Sequence, residues 1–137
     1  MRKITLANAV SSTLAGGGAL TRSFAGASDG TGTAAGFNGP RGLALDGAGD
    51  VFLADAGNGA LRQVLNVCGG GEARTTTAAG GAGFGVATGS GTAATFTSPF
   101  GVAVIAEPPV ACGGGGANGS LLLADWGANL LRNVSLV

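Results

Sequence analysis

Phe37-Asn38-Gly39-Pro40-Arg41-Gly42-Leu43-Ala44-Leu45-Asp46 decides the fold, because the chain writes it again as Phe96-Thr97-Ser98-Pro99-Phe100-Gly101-Val102-Ala103-Val104. Each copy runs into a second shared phrase. The first is Leu53-Ala54-Asp55-Ala56-Gly57-Asn58 with Leu61-Arg62-Gln63-Val64. The second is Leu123-Ala124-Asp125-Trp126-Gly127-Ala128 with Leu131-Arg132-Asn133-Val134. Two ordered phrases that recur together mark one structural unit used twice.

Working outward, Arg2-Lys3-Ile4 matches Arg62-Gln63-Val64 and Arg132-Asn133-Val134. Val10-Ser11-Ser12-Thr13-Leu14-Ala15-Gly16-Gly17 matches the run from Ala73 to Gly81. Residues 1–17 therefore read as the last two strands of a preceding unit, and 18–81 as a first full repeat. Residues 82–137 read as a second repeat lacking its outer strand. Within the full repeat, short apolar alternations predict strands over Leu43–Asp46, Val51–Ala54, Ala60–Val67 and Arg74–Ala79, separated by glycine-rich turns. The expected class is all-β. Four antiparallel strands per unit, with one lengthened loop, fit the blade of a β-propeller.

The segments Asp29–Ala35 and Thr88–Ala94 are expected to be long connections. Both contain Gly-x-Gly-x-x-Ala, but a Phe-x-x-Pro turn follows within a few residues and stops the helix that a dinucleotide fingerprint requires. The second unit carries a loop insertion over 105–120 with four consecutive glycines, Gly113 to Gly116. No Lys-Ser/Thr follows them, so they are read as a flexible loop and not a phosphate cradle.

Seven basic and seven acidic residues cancel, which leaves no electrostatic footprint for nucleic acid or an anionic membrane. No apolar run reaches a membrane span. Met1-Arg2-Lys3 opens like a signal peptide but lacks the apolar segment. The 29 glycines follow no Gly-X-Y period, which excludes collagen. With no histidine and no tyrosine, a general acid or base near neutral pH would need a strongly shifted carboxylate or lysine. No catalytic residue, metal or cofactor is expected.

The paired phrases Pro-x-Gly-[Leu/Val]-Ala-[Leu/Val] and Leu-Ala-Asp-x-Gly-x…Leu-Arg-x-Val resemble NHL repeats over nearly the whole chain. That resemblance implies β-propeller blades used mostly for binding and scaffolding. Some propellers of this kind are lyases or hydrolases that use histidine and metal ligands, which this sequence does not supply. Leu61 and Leu130-Leu131 depart from the usual pattern, as does the insertion after Val104.

A blade has two apolar faces and cannot bury them alone, and closed propellers use about four to eight blades. This chain holds about two blades' worth of strands, an incomplete ring with open edges that invite pairing. The partners expected are further blades of a longer chain or copies of the chain itself.

Asp55 and Asp125 recur at one turn, where a carboxylate usually binds nearby backbone amides. Pro40, Gly42, Pro99 and Gly101 shape the entry to the innermost strands. Arg62 and Arg132 are candidates to pair with turn carboxylates. Arg41 and Phe100 differ between matched positions at the mouth of those strands, where recognition on a repeated scaffold is usually placed. Trp126, the only tryptophan, replaces Ala56. It is a candidate to stack on a sugar or anchor a partner, although packing within the blades is the commoner use of such a ring.

Cys68 follows strand three of one blade and Cys112 lies in the strand-one loop of the next. Those loops share a face, so a disulfide is expected, and with it an oxidising compartment. Asn118 and Asn133 begin N-glycosylation patterns, so a covalent glycan is a candidate partner. The leading expectation is an extracellular or cell-surface structural and interaction module, a filament component being one form. The alternative is a propeller that binds glycan or protein. A fragment of a propeller enzyme ranks last.

Overall fold

The computed structural model describes residues 1–5, 10–17, 25–67, 71–105 and 119–135. These form ten strands and four single-turn 3-10 segments. Strands β1 (Arg2–Thr5) and β2 (Val10–Thr13) make a hairpin. Strands β3 (Gly30–Thr31), β4 (Pro40–Leu45), β5 (Val51–Asp55), β6 (Ala60–Leu65) and β7 (Arg74–Gly80) form a sheet ordered β3-β7-β6-β5-β4. Strands β8 (Pro99–Ile105), β9 (Ser120–Asp125) and β10 (Leu130–Ser135) form a third sheet, with β9 central. Every pairing is antiparallel, and none of the three sheets closes on itself.

The expected strands are present with shifted ends. Strand β6 stops at Leu65 instead of Val67 because Asn66 turns to φ +64°, a left-handed conformation that ends an extended run. Gly30 and Thr31, expected within a connection, pair with Thr75 and Arg74 and add a short fifth strand. Two residues carry no periodicity, so this pairing left no trace in the sequence. In the second unit Ile105 and Ser120, read as the ends of the insertion, are instead a paired rung joining β8 to β9.

Matched sequences take matched registers. In β6–β7, Arg62 faces Thr77, Gln63 faces Thr76 and Val64 faces Thr75. In β1–β2, Arg2 faces Thr13, Lys3 faces Ser12 and Ile4 faces Ser11. The outer strands also end alike. Gly16 and Gly17 have φ +83° and +95°, and Gly80 and Gly81 have +75° and +87°. A side chain on Gly16 would strike the Phe37 ring, and one on Gly80 the Phe96 ring, so both positions require glycine.

The main core lies between the second and third sheets. Phe52, Ala54 and Leu61 from one face meet Phe96, Leu121 and Leu123, with Val102, Val104 and Val134 packed alongside. Fully burying each large side chain contributes about 1.5–3 kcal/mol. A smaller core joins the hairpin to the opposite face, where Ala15 packs with Val51, Val64 and Ala73, flanked by Met1 and Leu14. Strands β4 and β8 run side by side. The two backbones come close at Gly42, where an added Cβ would lie 2.5 Å from the Phe100 carbonyl oxygen.

Candidate functional site

The two turn carboxylates are buried and fully occupied. Asp55 Oδ1 accepts from the Asn38 amide at 2.7 Å, and its Oδ2 accepts from Asn58 Nδ2 at 2.7 Å and from Arg62 at 3.0 Å. Asp125 accepts from the Thr97 and Ser98 amides at 2.9 and 2.7 Å. Each carboxylate thus holds the loop that leads into its own sheet's first strand. Both oxygens of each carboxylate thus accept a hydrogen bond from the protein.

Arg62 is 1% exposed, which the sequence did not foretell. It donates to the Gly36 and Ser28 carbonyls and bridges Asp55 and Asp29, at 2.9–3.0 Å throughout. Its guanidinium also lies 5.3 Å from the Phe37 ring centre. Arg132 repeats the carbonyl contacts at the matched residues Thr95 and Ala87, and stacks 5.4 Å from Phe96. Asp29 has Thr88 as its counterpart, so its bridge to Arg62 could not be found by comparing the two copies.

Arg41 and Phe100 come together, the guanidinium carbon standing 5.3 Å from the ring centroid. They lie at the end of the sheets where Pro40 pairs with Asp55 and Pro99 with Asp125. Trp126 begins the 3-10 turn that follows Asp125, at that same end. Its amide donates to the Ser98 carbonyl at 3.0 Å while the residue stays 72% exposed. Phe100 is 48% exposed. Arg41 and Phe100 thus form an exposed cationic and aromatic pair, with Trp126 exposed at the same end of the sheets. No group of three or more metal-ligating side chains occurs among the described residues.

At the β4–β5 turn, Asp46 Oδ1 accepts from the Asp50 amide at 2.8 Å. Burial, and secondarily the charge of Asp46, raises the pKa of the Asp50 carboxyl above its ordinary value.

The third sheet differs from the second in its outer edge. Strand β6 is flanked by β7, but β10 pairs only with β9 among the described residues. A groove of about 390 Å³ runs beside β10, bounded on the other side by Thr88 to Gly91. Leu131, the counterpart of the fully buried Leu61, is 69% exposed on this sheet. Asn133 lies exposed within β10, on the same face as Leu131. Cys68, Cys112 and Asn118 fall outside the described residues. No helix among the described residues is long and apolar enough to cross a membrane.

No protein-family model matches the chain, and no curated protein matches it either.

Proposed function

We propose that this chain is a structural and interaction module built of NHL-like β-propeller blades, which joins further blades through its open edges. One contrast carries the reading. Leu61 is buried by the neighbouring sheet, whereas its counterpart Leu131 is exposed on β10, which pairs only with β9 among the described residues. Exposed apolar surface next to unpaired backbone is the pattern of a surface made to be covered. Sedimentation of the purified chain across a concentration series tests it. Species heavier than the 12.9 kDa chain are expected, and a monomer at every concentration would overturn the reading.

An extracellular or cell-surface setting rests on the Cys68–Cys112 pairing and the Asn118 and Asn133 patterns. Peptide mapping of non-reduced native material should find the Cys68 and Cys112 peptides linked. A glycan on Asn133 would stand on the face that assembly covers, so glycosylation is expected at Asn118 in assembled material.

A second reading, binding of glycan or protein, is favoured by the exposed grouping of Arg41, Phe100 and Trp126. Trp126→Ala should abolish such binding without loss of fold, and unchanged binding would remove Trp126 from the case.

A further inference from the structure

We infer that the occupant of the β10 edge is a second copy of this chain, joined head to tail. The third sheet of one copy takes the place that β1 holds in the next, with β2 of that next copy as its fourth strand. The inference rests on the interaction-module reading and names its partner.

The chain contains its own template for this junction. In the second sheet the fourth strand, β7, lies between β6 and the short β3. In the third sheet the counterparts of those two neighbours, β10 and the segment around Gly89-Ser90, bound the groove. The groove is therefore the position of a fourth strand with both flanks in place. The strand that fits must resemble Arg74–Gly80 in sequence and register. Val10 to Gly17 does: its pairing with β1 follows the β6–β7 register residue for residue, and its terminal glycines share the same positive φ.

Strand β1 is the element to be displaced. Met1-Arg2-Lys3-Ile4 corresponds to Leu131-Arg132-Asn133-Val134, so β10 can pair with β2 as β1 does, and Leu131 would enter where Met1 packs. Strand β1 has one neighbour, β2, among the described residues and leaves Ile4 62% exposed, whereas its counterpart β6 lies between β5 and β7.

The sheet faces agree with this arrangement. Within one copy, Phe52, Ala54 and Leu61 meet Val102, Val104, Leu121 and Leu123. The counterparts of the first group, Leu122, Ala124 and Leu131, lie on the outer face of the third sheet, where Ala124 and Leu131 are exposed. The counterparts of Val102 and Val104 are Leu43 and Leu45, which are 50% and 55% exposed. Each copy thus presents at its two ends the two halves of the interface that it already makes internally. Such a junction is heterologous and propagates into a ring or a filament.

The test uses the full chain with Cys68 and Cys112 replaced by serine. Lys3→Cys with Ser12→Cys places a disulfide across directly opposed residues of β1–β2 and locks β1 in place. The oxidised form should sediment as a monomer and the reduced form should assemble. Mixing Asn133→Cys chains with Ser12→Cys chains should give a disulfide-linked heterodimer, since the template register sets those residues opposite one another. Leu131→Asp, at a position exposed in the single chain, should raise the concentration at which assembly is half complete by roughly tenfold or more. Equal assembly of the oxidised and reduced forms would overturn the head-to-tail junction while leaving an interaction module. Absence of assembly in the reduced parent chain would overturn both.

Discussion

The guanidinium of Arg41 stacks 5.3 Å from the centre of the Phe100 ring, joining two sheets through residues that hold equivalent places in the two copies. The pair forms because β4 and β8 lie side by side, and their backbones come close one residue further on, at Gly42. A cation–π contact at this exposure contributes about 0.5–1 kcal/mol. Phe100→Leu should cost that amount in urea unfolding, and the cost should vanish in an Arg41→Gln background. An undiminished cost in that background would show that bulk, not the cation, matters.

Gly42 and Gly101 are the same residue of the repeated phrase under different constraints. A Cβ on Gly42 would sit 2.5 Å from the Phe100 oxygen and 3.0 Å from the Gly101 Cα, so two backbones must part. Gly42→Ala should destabilise by about 1–3 kcal/mol. A Cβ on Gly101 would meet only the Ala124 Cβ at 3.7 Å, and Gly101→Ala should stay within about 0.5 kcal/mol in the monomer. In the head-to-tail junction the next copy's β4 would lie against Gly101, so the same substitution should weaken assembly. Calorimetry at low concentration, compared with sedimentation at high concentration, separates the two effects.

Removing Arg62 strands the buried Asp55 carboxylate. Arg62→Met should cost roughly 3–5 kcal/mol, a large share of a small domain's stability. Arg132 makes only carbonyl hydrogen bonds in a more open setting, and Arg132→Met should cost about 1–2 kcal/mol. Urea midpoints measured side by side check the ranking, and equal losses would contradict it.

The raised pKa of Asp50 gives a pH dependence of definite sign. A carboxyl whose folded pKa lies above its unfolded value near 3.8 stabilises the fold when protonated, and that contribution is lost as pH rises through the folded pKa. Asp50→Asn should therefore be more stable than the parent at neutral pH, with the difference closing as pH falls towards 3.8. A difference that widens on acidification would reverse the assignment.

How far the sequence could be read depended on what repeated. Strands β4 to β7 were legible because alternation and glycine turns mark each of them, and Asp55 and Asp125 because both copies carry them. The sheet faces were legible only as apolar residues, since exposure of Leu131 and burial of Leu61 follow from which sheet has a neighbour. The pairing of Arg62 with the turn carboxylate Asp55 was legible, but the rest of its network was not. Asp29, which Arg62 bridges, and Asn58, which donates to Asp55, have Thr88 and Ala128 as counterparts, so no recurring pattern announces them, whereas the backbone contact of Asn38 to Asp55 recurs between Thr97 and Asp125. The exposure of Trp126 depends on the turn conformation and not on the apolar character of its ring.

Amide hydrogen exchange along β10 tests the central claim most directly, because it reports on the backbone edge itself. Amides of Leu130–Ser135 that do not bond to β9 should exchange slowly at high protein concentration and quickly on dilution, in step with assembly. Fast exchange of those amides at every concentration would mean that no strand covers the edge, and would contradict the account.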